Sequence, residues 1–266
     1  MVTAAVLVIR QLGGWAPLEL MIYDRWTQWQ AALPPDDRLL VVEITEADLK
    51  ALQQTTPSDA ILSQAIHTLH AYNPRVIGLD LYRDIPQGEG QAALLETLAA
   101  DNIITIRQLD DQSAEAIPAP PGLPPERVGF NEFPVDDDGV VRRSLLLASA
   151  DERSETEVLQ SLALRLALAY LEPEGILPLA SEAQVDHLTL NGTTLTPLAP
   201  QFGGYRRADT AGYQLMLQYR AADAAVPQLS LSTVLAGNFS AEMVRDRIVL
   251  IGTTAASAKD LFLTPY

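Results

Sequence analysis

Residues 58–82, SDAILSQAIHTLHAYNPRVIGLDLY, decide the fold class, because a helix signal is followed within a few residues by a buried-strand signal. Ser58 is a favoured N-cap residue, and apolar side chains recur every three or four positions after it, which predicts an amphipathic helix over residues 59–72. The run VIGLDLY at residues 76–82 is almost continuously apolar, as in strands covered on both faces. The stretch therefore predicts one helix–strand unit of a parallel sheet.

The same alternation extends outward in both directions. Further strands are predicted at residues 39–45, 102–106, 140–147, 213–219 and 247–252. Further helices are predicted at residues 91–100, 155–171 and 231–236, and a short helix follows the capping-box pattern of Thr45 and Asp48. Residues 192–212 are loop-like with the potential to form a hairpin. The pattern predicts an α/β fold with a mixed, largely parallel central sheet, flanking helices and an inserted loop or hairpin region.

Composition limits the possible partners. The 266 residues include 18 basic and 34 acidic side chains, for a formal net charge of −16. This charge repels phosphate backbones and anionic lipid headgroups, so we expect no nucleic-acid partner. The sequence has no cysteine, which removes disulfides and thiolate sites from consideration.

Catalytic and cofactor motifs are absent from the sequence. It contains no G-x-S-x-G nucleophile elbow, no H-E-x-x-H zinc motif and no P-loop, so we predict no enzyme, no catalytic residue and no cofactor. The run DDDG at residues 136–139 resembles part of a calcium loop, but Leu147 stands where the bidentate glutamate belongs. We interpret the run as a turn and assign no metal ligand, with a weak cation site as the alternative.

The N-terminus is apolar. Residues 1–9 are apolar except for Thr3, and a second apolar stretch covers residues 18–23. The first run is about half of the roughly 20 residues that a membrane-spanning helix needs. Two interpretations stay open: the trailing half of a truncated membrane helix, or a short packed helix or opening strand.

Asp80 is a conspicuous polar residue, because it lies within the apolar run at residues 76–82. A carboxylate in that position needs a hydrogen-bonding or cationic partner. The carboxyl ends of strands are also where α/β sheets bind ligands. A structural role, such as pairing with Arg83, and ligand recognition both stay open. Asp260, which follows the last predicted strand, poses the same choice.

Five blocks of sequence, in order along nearly the whole chain, resemble those of the type-2 CHASE domain, the cyclase- and histidine-kinase-associated sensing extracellular module. They are ELMIYDRW (residues 19–26), LVVEIT (40–45), GLDLYRD (78–84), GFN with DDDGVVRR (129–131 and 136–143), and DRIVLIGTTAASAKDLFLTPY (246–266). One departure is TTPSD at residues 55–59, where the family often has an aromatic W-P-x-x-R.

The resemblance implies the extracytoplasmic part of a bacterial transmembrane receptor in the cell membrane. Residues 1–23 would then be a membrane-helix remnant and entry segment, and residues 24–266 the sensor domain. The resemblance also implies a cytoplasmic effector in the same full-length chain, such as a histidine kinase or a nucleotide cyclase. In such a receptor we expect a homodimer.

We expect this sensor to bind an unknown small molecule or ion at the carboxyl edge of the sheet. The predicted site consists of Asp80, Tyr82, Arg83, Asp138, Arg142, Arg143, Thr253, Thr254 and Asp260. Its arginines favour an anion and its carboxylates a cation. Because successive strand residues point to opposite faces, we expect at most one of Arg142 and Arg143 to face a given pocket and the other to pair with surface carboxylates.

Two alternatives compete with sensing. A spacer domain that only dimerises receptors predicts a closed core and a broad apolar dimer face, whereas a sensor predicts a concave cavity with convergent polar groups. A hydrolase predicts two carboxylates with perturbed pKa values facing one cleft.

Overall fold

The structure, a computed structural model, describes residue 10 and residues 13–110, 116–151, 154–180, 187–206, 208–220 and 225–266. The helices are α1 (Ala16–Trp29), α2 (Glu46–Leu52), α3 (Asp59–His70), α4 (Gln91–Leu98), α5 (Leu162–Leu171) and α6 (Leu231–Leu235). The strands are β1 (Leu39–Ile44), β2 (Val76–Leu79), β3 (Ile103–Arg107), β4 (Val128–Phe130), β5 (Arg143–Asp151), β6 (Ser154–Gln160), β7 (Leu179–Ala180), β8 (Leu188–Leu190), β9 (Thr193–Leu195), β10 (Tyr213–Met216), β11 (Gln228–Ser230) and β12 (Ile248–Thr253).

Six strands form the central sheet in the order β11-β1-β12-β2-β3-β4, and every neighbouring pair is parallel. This confirms the predicted α/β fold. Two three-stranded antiparallel sheets, β10-β5-β6 and β7-β8-β9, make up the inserted region. Within it β8 and β9 form a hairpin that turns at Asn191 and Gly192, whose positive φ angles of 45° and 78° suit a two-residue loop.

Helices pack on both faces of the sheet. On one face, α2, α3, α4 and α6 bury Val42 and Ile44 of β1 together with residues of β2, β3 and β12. On the other face, α5 packs Leu162 and Leu166 against Ile104 and its neighbours. Cover on both faces explains why the strand sequences are apolar almost continuously.

Two glycines let α5 approach the sheet closely. A Cβ atom at Gly129 in β4 would lie 2.6 Å from the backbone of Leu162, and one at Gly78 in β2 would lie 2.8 Å from Cδ1 of Leu166. A bridge between Phe130 and the N-cap residue of α5 holds the start of the helix at the carboxyl end of β4. The helix therefore begins at the edge of the sheet where the predicted site lies.

The predicted helix over residues 155–171 is wrong in its first half. Strand β6 occupies Ser154–Gln160 and pairs with β5, and the helix begins only at Leu162. Ser161 separates the two elements, because its hydroxyl accepts a hydrogen bond from Leu164 N and so caps the helix. The apolar spacing of this stretch fits a helical stripe, but pairing with β5 decides its first half.

Two strand ends differ from the prediction in a way that matters for the site. The strand expected from residue 140 begins at Arg143, because the residues before it pair with the C-terminal segment at Leu263. Strand β2 stops at Leu79, so Asp80 follows it directly instead of lying inside it. Both changes move predicted site residues from strands into the loops at strand ends.

The N-terminal segment contributes α1 to the described structure. Residues 1–9, interpreted above as a membrane-helix remnant, lie outside the described residues. Over the described ranges, no helix combines the length and the apolar character needed to cross a bilayer. The 14-residue α1 carries Pro17 in its first turn, where a missing N–H costs no helical hydrogen bond.

The close contact of α5 with β4 predicts that Gly129→Ala lowers the free energy of unfolding by about 1–3 kcal/mol, the usual cost of overpacking. Gly252→Ala is the matched control, because the nearest atom to its new Cβ would be 3.7 Å away. We expect that control to stay within about 0.5 kcal/mol of the unsubstituted chain. Urea denaturation measures both, and equal losses would contradict the close packing.

Candidate functional site

The nine predicted site residues fall into two groups, each beside its own cleft. The edge group, where β2 and β12 end, consists of Asp80, Tyr82, Arg83, Thr253, Thr254 and Asp260. The helix group, where β5 begins opposite α1, consists of Asp138, Arg142 and Arg143. The structure therefore does not bring all nine residues into one pocket.

Asp80 is held by an amide instead of a cation. Its Oδ1 accepts a 2.9 Å hydrogen bond from Asn131 Nδ2, and Asn131 Oδ1 accepts a 2.9 Å bond from the Tyr82 hydroxyl. Asn131 follows β4 directly, so the parallel strands bring these side chains to the same edge. Burial raises the pKa of Asp80, the Asn131 hydrogen bond opposes that rise, and the charge of Asp260 adds to it.

The guanidinium of Arg83 pairs with Asp59, not with the carboxylate at the end of β2. Its Nε lies 3.2 Å from Asp59 Oδ1, and its Nη groups donate to the carbonyl oxygens of Tyr82 and Pro57 and to the hydroxyl of Thr56. Burial lowers the pKa of Arg83, while the charge of Asp59 opposes that change. Arg83 thereby ties the loop after β2 to the first turn of α3.

A cleft of about 290 Å³, the edge cleft, opens beside this group. Three predicted residues, Tyr82, Arg83 and Thr253, line it together with Ile44, Leu49, Thr55, Thr56, Pro57, Leu81, Gln87 and Ala258. Hydroxyls and apolar side chains dominate the walls, and no carboxylate of the described residues is among them. Asp80, Thr254 and Asp260 lie outside the lining of this cleft.

Arg142 has a hydrogen-bond acceptor for each of its five N–H groups, and its side chain is 1% exposed. Nε and Nη2 donate to Asp24 of α1 at 2.7 Å each, Nη1 donates to Asp136 at 2.8 Å, and both Nη atoms donate to Asp138. Burial alone lowers the pKa of Arg142, but hydrogen bonds to the three carboxylates outweigh it and raise the pKa. No donor of Arg142 is left for an anionic ligand.

Asp136 joins the two arginines. Arg143 approaches Oδ1 of Asp136 through Nε and Nη2, at 2.9 and 2.8 Å, while Arg142 and the Tyr205 hydroxyl donate to Oδ2. The expectation that one arginine pairs with surface carboxylates is therefore wrong for Asp136, because its side chain is only 4% exposed. Burial raises the pKa of Tyr205, and so does its hydrogen bond to Asp136.

A second cleft of about 430 Å³, the helix cleft, lies between α1 and the DDDG turn. Ala16, Pro17 and Leu20 of α1 line one side, and residues 136–138 and Arg143 line the other. Arg142 is not part of the lining, in line with the expectation that at most one of the two arginines faces a given pocket.

The C-terminal segment connects the two groups. It starts at Asp260 beside Asp80, and Leu263 O then accepts a 2.8 Å hydrogen bond from Val141 N. At its end the hydroxyl of Tyr266 donates a 3.0 Å bond to the Thr27 carbonyl in α1. The segments 131–142 and 260–266 therefore both run between the edge group and α1, and they are joined at Val140, Val141 and Leu263.

Sequence reasoning missed four residues that hold these groups together, namely Asp24, Asn131, Asp136 and Tyr205. The first three lie inside the blocks that carried the resemblance, which was the available signal. Tyr205 lies in the loop before β10, and no sequence pattern pointed to it. In the part of the chain that the structure describes, no cluster of three metal-ligating side chains could hold an ion.

Comparison with known proteins gives one match. The family model described as the CHASE2 domain matches residues 1–266, the whole chain, and so covers both groups and α1. No curated protein and no solved structure matches.

The matched hydrogen bonds of Arg142 predict that Arg142→Met lowers the free energy of unfolding by about 3 kcal/mol, because it leaves the largely buried carboxylate of Asp24 without its cation. Arg38→Met is the control, since Arg38 also pairs with an aspartate but its side chain is 61% exposed. We expect the control to lose at most about 1 kcal/mol in urea denaturation. A loss at Arg142 no larger than at Arg38 would contradict a stabilising role for the buried hydrogen bonds of Arg142.

The raised pKa of Asp80 and the lowered pKa of Asp138 predict opposite pH dependences. The Asp80 carboxyl stabilises the fold below its unfolded pKa and loses that contribution as the pH rises through its folded pKa, so Asp80→Asn gains stability relative to the parent as the pH rises. Asp138, whose pKa is lowered chiefly by the Arg142 hydrogen bond, contributes above its unfolded pKa, so Asp138→Asn loses stability over the same change.

Urea denaturation of both variants and the parent at about pH 3, about pH 5 and about pH 7 measures these differences, because the contribution of Asp138 changes near and below the unfolded pKa of about 3.9 and that of Asp80 changes above it. Parallel pH dependences for the two variants would show that the two carboxyls do not occupy the different environments that the structure gives them.

Proposed function

We propose that this chain senses a small molecule in the edge cleft. The chain belongs to the CHASE2 domain family, whose members are sensory extracellular domains in signalling receptors. Binding in the edge cleft changes how α1 and the C-terminal segment are held. In the full-length receptor, on the extracytoplasmic side of the cell membrane, that change is relayed to a cytoplasmic effector in the same chain.

The observation that carries the proposal is the double connection of Asp80. Its carboxylate accepts the Asn131 hydrogen bond and lies near the charge of Asp260. Each of these two residues begins a segment that ends at α1: one through Arg142 and Asp24, the other through Tyr266. A displacement at the edge of the sheet therefore has two chain segments along which to travel, each joined to the same helix by hydrogen bonds.

The lining of the edge cleft favours a small, uncharged and largely apolar ligand with a few hydrogen-bonding groups. The hydroxyls of Thr55 and Thr56 offer hydrogen-bonding groups among apolar lining residues, whereas the Thr253 hydroxyl already donates to Ile44 O and accepts from Ala255 N. Arg83 adds no free charge, because Asp59 neutralises it at 3.2 Å. The arginines that the sequence offered to an anion, Arg142 and Arg143, act in this proposal as links and not as ligand contacts.

Relay requires two arrangements that the ligand distinguishes, because a ligand shifts an equilibrium only by its differential affinity for the two states. In one arrangement Asp24 of α1 occupies the fork of Arg142, as in this structure. In the other, α1 is released from that fork. The helix cleft beside the fork gives the start of α1 space in which to move.

The alternative of a spacer that only dimerises receptors has one observation in its favour, the exposed apolar face of α1. It requires no ligand at the edge cleft. The two functions are compatible, because the cleft and the apolar face involve different residues.

A thermal-shift screen with small neutral metabolites, each at about 1 mM, tests the ligand site, because binding to the folded state alone raises the melting temperature. We expect stabilising compounds to act on the parent chain and on His67→Ala, whose side chain lines a separate groove between α3 and α4. We expect the same compounds to have no effect on Thr253→Trp, which fills the edge cleft. Equal stabilisation of all three proteins would exclude the edge cleft as the site.

Hydrogen exchange with such a compound tests the relay separately. We expect the compound to change amide exchange in α1 of the parent chain, and Asn131→Ala to keep binding but to lose the α1 response. Binding without any change in α1 would leave the site intact and refute the relay.

A further inference from the structure

The helix α1 turns its apolar side away from the domain. Leu18, Met21, Ile22, Trp26 and Trp29 are 41, 52, 52, 68 and 78% exposed, respectively. At about 100° per residue these five side chains occupy one arc of about 140°. We call this arc the outer face of α1.

The opposite side of the same helix is the polar one, and it is occupied by the domain. Asp24 binds Arg142, Thr27 is 6% exposed, and the Tyr23 hydroxyl donates to the Leu217 carbonyl at 3.3 Å. Polar contacts therefore hold α1 to its own domain, while the apolar side chains of the outer face have no cover among the residues that the structure describes. This reverses the usual orientation of an amphipathic surface helix.

The outer face is large enough for a stable contact. Two tryptophans exposed to this degree contribute on the order of 300 Å², since a whole aromatic side chain buries 150–250 Å². With the three aliphatic side chains the face reaches roughly 550 Å², at the upper end of the largest apolar patch of a typical monomer. Two such faces in contact would bury about 1,100 Å², above the roughly 1,000 Å² expected of a biological interface.

We propose that the outer face of α1 binds the outer face of a second copy of this chain across a two-fold axis. Such an axis requires a surface that is complementary to itself, and an apolar stripe meets that requirement without a charged partner. Arg25 is the one cation on this side of the helix; its long stem can pack while its Nη1, bonded to Gln28 Oε1, stays at the rim.

A lipid surface fits the outer face less well than a second copy does. Helices that lie in a membrane interface combine an apolar face with a polar face rich in lysine and arginine. The polar side of α1 instead carries Tyr23, Asp24 and Thr27 and is covered by a domain of net charge −16. That charge repels anionic headgroups, whereas apolar contact between two copies requires no opposite charge.

The proposed contact goes beyond ligand sensing and does not depend on it. Asp24 and Thr27, which receive the two segments from the edge group, lie on the side of α1 opposite the outer face. A symmetric pair of α1 helices would therefore place both relays of a dimer next to its axis.

Disulfide trapping in the whole 266-residue chain tests the contact directly, because the chain has no cysteine of its own. Ile22 lies near the middle of the outer face, so two copies of Ile22→Cys meet near the axis whether the helices run parallel or antiparallel. We expect mild oxidation to link Ile22→Cys into dimers. Leu177→Cys, on a side chain that is 58% exposed elsewhere, should stay unlinked. Equal linking at both positions would overturn the proposal.

Sedimentation equilibrium provides the second measurement. We expect the parent chain to dimerise and Trp29→Glu to weaken dimerisation by at least about tenfold, while its circular dichroism spectrum stays that of the parent. Leu177→Glu is the matched control and should dimerise like the parent. A parent chain that stays monomeric at about 100 µM, or a Trp29→Glu variant that dimerises normally, would overturn the proposal. Monomers whose binding to phosphatidylcholine vesicles is abolished by Trp29→Glu would assign the face to lipid instead.

Discussion

The buried guanidinium of Arg142 is the interaction on which the arrangement of α1, the DDDG turn and the inserted sheet depends. A charge removed from water is tolerated when its donors are matched, and here five N–H groups meet three carboxylates. One of those carboxylates, Asp24, lies 118 residues away in the sequence. Moving α1 off the domain would take two hydrogen bonds from Asp24 and leave Nε of Arg142 without its acceptor, while the bonds of Arg142 to Asp136 and Asp138 remain.

The Arg142 contact also connects the carboxyl edge of the sheet to α1. Residues 131–142 start at the amide that binds Asp80 and end in the fork that binds α1. The C-terminal segment runs beside them, pairs at Leu263 and returns to α1 through Tyr266. A sensory domain has to convert occupancy of a cleft into a displacement of the segments that flank it. In this chain the two segments leaving the edge group end on the element closest to the N-terminus among those described.

The sequence was sufficient where structure is local and insufficient where it is not. Apolar runs identified the four inner strands of the parallel sheet, β1, β2, β3 and β12, but missed its two edge strands, β4 and β11, which are only three residues long each. The stretch at residues 155–171 misled, because its apolar spacing fits a helix and only pairing with β5 assigns its first half to a strand. Ion-pair partners were the hardest feature to predict from the sequence. No local pattern indicates that Arg83 pairs with Asp59 and not with Asp80, or that Asp136 pairs with both Arg142 and Arg143. Such pairings depend on loops that meet only in the folded chain.

A double-mutant cycle between Asn131→Ala and Asp24→Asn tests most directly whether the edge of the sheet and α1 are energetically one unit. The two residues share no hydrogen bond, and distant, independent substitutions usually add within about 0.3–0.5 kcal/mol. The account predicts a coupling free energy above about 0.5 kcal/mol in urea denaturation, because both substitutions act on the segment between them. Additive losses would contradict this coupling. The edge group and the contact of Arg142 with Asp24 of α1 would then be separate stabilising features.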